Sequence, residues 1–93
     1  MLGIDLDGKV VLAMPNPAKN EMQFVLHLTQ SAKVEIMIFN LTGERVASLS
    51  ENLPAGQGQS LLWNCSDVAP GVYVARVLIN GSEKGTVKVA VMK

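Results

Sequence analysis

The sequence predicts an all-β domain, an antiparallel β-sandwich of about seven strands. Three observations carry that prediction. Apolar residues recur with a period of two along almost the whole chain. Turn-forming residues interrupt that alternation at near-regular spacing. No segment carries a helical apolar stripe of useful length, which points to two sheets that each bury one face, with a small barrel as the competing architecture.

Each element follows from its residues. Residues 10–14 form a short apolar strand, ended by Pro15 and Pro17. In the next strand Met22, Phe24, Leu26 and Leu28 alternate with Gln23, Val25 and His27. Val34, Ile36 and Ile38 then alternate with Glu35, Met37 and Phe39. Residues 40–43 are a turn, because Asn40 and Gly43 tolerate positive φ. Residues 44–50 are a weaker strand, and 53–58, with Pro54, Gly56 and Gly58, are a loop. Residues 59–64 are a strand carrying Trp63, and 65–71 are a second loop. Strands at 72–79 and 85–92 are joined through Asn80-Gly81, a strong hairpin signal. The inward set is then Phe24, Leu26, Leu28, Val34, Ile36, Ile38, Leu61, Trp63, Tyr73, Ala75, Val77, Val87, Val89 and Val91. Residues 1–9 are expected to be a linker or leading arm, and 10–93 the domain itself.

Size and charge narrow the function. Ninety-three residues suit one domain that buries roughly 60–70% of its unfolded surface. Eight basic and eight acidic residues cancel, so no positive field awaits nucleic acid or an anionic membrane. Charge this balanced also gives little protection against self-association. One cysteine, Cys65, permits no internal disulfide. No apolar run approaches the ~20 residues that cross a bilayer as a helix. The first residues lack the basic and apolar regions of a signal peptide.

Candidate chemistry reduces to structural roles. His27 is the single histidine, and no nucleophile elbow accompanies it, so it reads as an outward strand residue. A lone histidine and a lone cysteine cannot supply four zinc ligands. Cys65 reads as a small, half-buried side chain beneath its loop, with no neighbour to activate it. Asp5-x-Asp7-Gly8 echoes the start of a calcium loop. However, its twelfth position is Asn16 where a bidentate Glu is needed, so only a looser site on Asp5 and Asp7 remains open. Asn40-Leu41-Thr42, Asn64-Cys65-Ser66 and Asn80-Gly81-Ser82 match a glycosylation pattern but read as turn chemistry. Tyr73 and Trp63 read as core residues, with the Tyr73 hydroxyl bonded to backbone near the sandwich edge. No catalytic residue, metal site or cofactor is expected.

The residues that resist a purely structural reading lie on the outside. With Val34, Ile36 and Ile38 facing in, Met37 and Phe39 face out; with Tyr73, Ala75 and Val77 facing in, Val72, Val74 and Leu78 face out. If these strands are neighbours, Met37, Phe39, Val74 and Leu78 merge into an apolar patch interrupted by Glu35 and Arg76, the kind of surface that marks an interface. Lys84, Lys88 and Lys93 add a short basic stripe on the last strand, which a partner could read together with that strand's free edge.

Several motifs occur together in order. They are Pro15-Asn16-Pro17-Ala18, then Val34-x-Ile36-x-Ile38-Phe39-Asn40-Leu41-x-Gly43, Val46, Leu49, Ala55-Gly56, Trp63-Asn64, Ala69-Pro70-Gly71-Val72-Tyr73 and Lys88-Val89-x-Val91. This arrangement resembles the immunoglobulin-like domain of the flagellar hook-capping protein and the related C-terminal sorting domains of the type IX secretion system. A "PNP" start and a "GxY" hairpin recur in the latter. The sequence departs from the commonest pattern at Ala18, where Phe is frequent, and at the Asn64-Cys65 step, because an Asp tends to follow the Trp.

The resemblance implies an immunoglobulin-like sandwich and a non-catalytic sorting or attachment module of a larger exported bacterial protein. The expected partners are proteins: secretion machinery, a neighbouring domain or a second copy. The expected location is secreted or at the cell surface, as part of a longer precursor. A carbohydrate- or surface-binding accessory module of an extracellular enzyme is the alternative, and a structural spacer or assembly domain a third. The accessory module would need exposed coplanar aromatics.

Overall fold

In the computed structural model the described residues are 3–6 and 9–93, with side chains described from Leu12 onward except at Gln57. The chain builds eight strands: β1 (Gly3–Leu6), β2 (Lys9–Met14), β3 (Glu21–Leu28), β4 (Ala32–Asn40), β5 (Arg45–Leu53), β6 (Gly56–Asn64), β7 (Gly71–Ile79) and β8 (Ser82–Val91). They form two four-stranded antiparallel sheets, ordered β1-β2-β3-β6 and β5-β4-β7-β8. The expected sandwich is therefore present, with one further strand: Gly3–Leu6 pairs along β2 within the segment read as a leading arm. The calcium reading on Asp5 and Asp7 rests on side chains outside the described residues.

The alternation places the core where the pattern predicts. All fourteen residues of the expected inward set are buried, joined by Ala13, Ala18, Met22 and Cys65. The two sheets press these rows together into one continuous apolar cluster. Trp63 of one sheet meets Tyr73 of the other edge-on, with ring centroids 5.8 Å apart at 76°. The Tyr73 hydroxyl donates to the Ala69 carbonyl, so its one polar atom is satisfied at the sandwich edge.

The turns use the chemistry their residues offer. Asn80 (φ 52°) and Gly81 (φ 83°) both adopt the left-handed region, as a two-residue hairpin turn requires. Asn40 Oδ1 accepts from the backbone N–H groups of Thr42 and Glu44 and closes the β4–β5 turn. The loop expected over 53–58 is shorter in the structure. β5 runs on to Leu53 and β6 starts at Gly56, leaving Pro54 and Ala55 as the connection. Cross-strand pairing at Leu28↔Gly56 draws Gly56 into the sheet, and local composition cannot register that gain.

Candidate functional site

The outer face of the β5-β4-β7-β8 sheet carries the expected patch. β4 and β7 are neighbours in the register that the patch requires. Phe39 lies opposite Val74, which lies opposite Lys88; Met37 lies opposite Arg76, and Glu35 opposite Leu78. Met37, Phe39, Val74 and Leu78 are each half-buried, and Val72 is exposed. Their lateral contacts cover part of each side chain and water meets the rest. Arg76 occupies the middle of the face. Its guanidinium lies 5.6 Å from the Phe39 ring centroid and forms an ion pair with Glu83. The face is therefore an apolar patch crossed by the Arg76–Glu83 pair and bordered by Glu35 and Lys88.

The basic stripe expected on the last strand divides in the structure. On β8 the inward residues are Val87, Val89 and Val91, so Lys88 faces out beside the patch. Lys84 sits near the hairpin, where the β7–β8 register shifts. Lys93 lies past the end of the strand and does not continue the row. Its ammonium donates to three carbonyls: Lys19 at 2.7 Å, Ser66 at 3.0 Å and Cys65 at 3.1 Å. All three donors of the head group are used, so Lys93 clamps three segments together at one end of the sandwich.

The free edge expected on that strand is also largely occupied. The Met14–Pro15 and Asn16–Pro17 peptide bonds are cis, and the segment they shape runs along β8. Ala18 accepts from the Met92 N–H at 2.8 Å and donates to the Ala90 carbonyl at 2.9 Å. Asn16 Oδ1 accepts from the Ala90 N–H at 3.0 Å, and its Nδ2 reaches the Lys88 carbonyl at 3.4 Å. From Lys88 to Met92 the edge is thus sealed by residues of the same chain, 72 to 74 positions away along the backbone. Neither contact has a local sequence signal.

His27 faces outward, as its alternation predicts, but is half-buried, and its Nδ1 is buried with no hydrogen-bond partner among the described residues. Cys65 is fully buried, deeper than the half-buried position expected; burial pushes its thiol above its ordinary value, an effect that the Lys93 charge opposes. No cluster of His, Cys, Asp and Glu that could hold a metal occurs among the described residues. Phe24, Trp63 and Tyr73 are buried, and Phe39 lies beneath Arg76. The coplanar aromatic platform of a carbohydrate-binding module is therefore not built here.

One surface feature escaped the sequence reading. A groove of about 650 Å³ opens on the outside of the other sheet, lined by Met14, Pro15, Pro17, Glu21, Gln23 and Leu62. Leu62 is half exposed there. The adjacent pair Leu61-Leu62 was the available signal, since on a strand one of two neighbouring leucines must face out.

The profile of the family described as "Secretion system C-terminal sorting domain" matches residues 12–92. No curated protein matches the chain. Among solved structures, dimeric latent PorU from Porphyromonas gingivalis superposes with a TM-score of 0.76 at 20% identity, covering 90% of this chain and 9% of PorU. The alkylpurine DNA glycosylase AlkC of Pseudomonas fluorescens, in a complex with DNA containing an abasic site analog, superposes with a TM-score of 0.53 at 23% identity. That match covers 89% of this chain and 29% of AlkC. At these identities both likenesses are of fold, and the chain spans only a small part of either protein.

Proposed function

The chain belongs to the secretion system C-terminal sorting domain family, and from that premise we propose how an export machinery reads it. The domain is a non-catalytic sorting module of a larger exported protein, destined for secretion or the cell surface. In our reading the recognised surface is the outer face of the β5-β4-β7-β8 sheet. Met37, Phe39, Val74 and Leu78 supply apolar contact area, and Lys88 and Lys84 flank it with charge. Lys93 contributes indirectly, by holding the end of β8 in place. The observation that supports this surface is the register, which gathers four half-buried apolar side chains from two neighbouring strands into one patch. A protein partner, either a component of the machinery or a neighbouring domain of the precursor, would remove that patch from water.

The test is a reporter fused ahead of residues 10–93 and expressed in a host with a type IX secretion system. The intact fusion should reach the surface. Met37→Lys and Val74→Lys should lower delivery several-fold while circular dichroism and thermal melting stay unchanged. A folded, intact fusion that remains inside such a host would overturn the sorting reading. Normal delivery of both variants would overturn the assignment of this face alone.

A further inference from the structure

The outer face of the β5-β4-β7-β8 sheet changes in charge along its strands. The register sorts its side chains into lateral rows, one residue from each strand. One row runs Arg45–Phe39–Val74–Lys88, so an apolar pair lies between two cations. The next row runs Ser48–Met37–Arg76–Thr86. The third runs Ser50–Glu35–Leu78–Glu83, and there carboxylates enter the face. The zero net charge of the chain conceals this separation.

No carboxylate answers the cations of the first row. Arg45 and Lys88 are both exposed, and among the described residues neither side chain is in an ion pair. Arg76 is committed to Glu83. Glu44 adjoins Arg45 in the chain, but its carboxylate accepts from Asn40 Nδ2 at 3.1 Å and Thr42 Oγ1 at 3.3 Å in the β4–β5 turn. Exposed apolar residues gather at the same end. Val72 precedes Val74 by two residues, and Val46 is left without a partner by the register shift between Ile38 and Phe39; both are exposed. An apolar centre with charges at its rim is the usual anatomy of a protein interface.

We propose that the partner on this face is an acidic protein surface whose carboxylates meet Arg45 and Lys88 on either side of an apolar group seated on Phe39 and Val74. Three strand spacings set the backbones of Arg45 and Lys88 about 14 Å apart. An extended segment matches that span with acidic residues at i and i+4 and an apolar residue at i+2, since four residues of strand cover about 13–14 Å and place all three side chains on one face. A basic surface would bring like charges together, and a purely apolar one would cover the two cations without partners. The inference rests on the reading of this face as the export surface, and adds to it the sign of charge the partner carries.

The reporter fusion tests this through its initial rate of appearance at the surface of a type IX host, because charges at a rim act chiefly on association rate. Arg45→Lys/Lys88→Arg keeps both charges and should be delivered at close to the unaltered rate. Arg45→Gln/Lys88→Gln should be delivered several-fold more slowly, and Arg45→Glu/Lys88→Glu slower still, with circular dichroism unchanged in each. Lys19→Glu/Lys33→Glu makes the same change in net charge at exposed positions outside the row and should be delivered normally. A second readout uses the purified chain and a synthetic peptide, Asp-Ser-Phe-Ser-Asp. At low ionic strength it should shift the amide resonances of Arg45, Phe39, Val74 and Lys88, and Lys-Ser-Phe-Ser-Lys should not. Slowed delivery of Met37→Lys with normal delivery of Arg45→Gln/Lys88→Gln would overturn this inference and leave the export face standing. Equal slowing by Lys19→Glu/Lys33→Glu, or equal shifts from the two peptides, would also overturn it. Normal delivery of both Met37→Lys and Val74→Lys would overturn the reading of the face, and this inference with it.

Discussion

Replacing Lys93 with Met keeps most of the aliphatic stem and removes only the ammonium. In the structure that head group makes three hydrogen bonds, to the Lys19, Cys65 and Ser66 carbonyls. Charge-assisted bonds in this setting contribute roughly 1 kcal/mol apiece, because water competes at an exposed site. Holding the long side chain in place costs about 1.5 kcal/mol of rotamer entropy. The net loss expected is therefore about 1.5 kcal/mol. For a domain of this size each kcal/mol moves the melting temperature by roughly 4–8 °C, so Lys93→Met should melt about 6–12 °C lower. Lys88→Met is the matched control. Its side chain is exposed beside Val74, and its loss should stay within about 0.5 kcal/mol. Thermal melting followed by circular dichroism measures both. Equal melting temperatures for the two variants would refute the clamp and restore the single basic stripe that the sequence suggests.

Three further outcomes are expected. Asn16→Ala leaves the Ala90 amide without its acceptor at a part-buried edge, which should cost about 1–2 kcal/mol and speed exchange at Ala90 while Val34 in the core stays protected. Phe24→Ala opens a cavity at a fully buried position; a loss of about 3–5 kcal/mol, seen in urea unfolding, is a large share of a small domain's stability. Cys65 is held as a neutral thiol because burial raises its pKa. The stability tied to that neutral form is intact below the thiol's ordinary value and is lost as pH rises through the raised folded one. The unaltered chain should therefore lose more stability than Cys65→Ala in strongly alkaline buffer, and a thiol reagent should label Cys65 only after urea is added.

Period-two alternation determines most of the fold. Side-chain direction on a strand depends on local backbone geometry, so Phe24, Ile36, Trp63 and Val89 could each be assigned to the core from their neighbours alone. The Asn80-Gly81 turn was legible for the same reason, since its two positive φ values demand those residue types. The same alternation sets Met37, Phe39, Val74 and Leu78 on the outer face, and the β4–β7 register lays Phe39 opposite Val74 and Glu35 opposite Leu78.

What only the tertiary structure decided are the contacts whose partners lie far apart in the chain. Whether an edge strand is open depends on what else reaches it, and Asn16 reaches Ala90 across 74 residues. Lys93 looks like any strand-end lysine until the fold brings Lys19, Cys65 and Ser66 beneath it. The strand at Gly3–Leu6 is likewise drawn into the sheet by its pairing with β2. Alternation specifies which face a residue takes, because that is a property of the backbone two atoms away. It does not specify which backbone groups meet across the molecule. That is set by how the sheets close on one another, and here closure sealed the second half of the β8 edge.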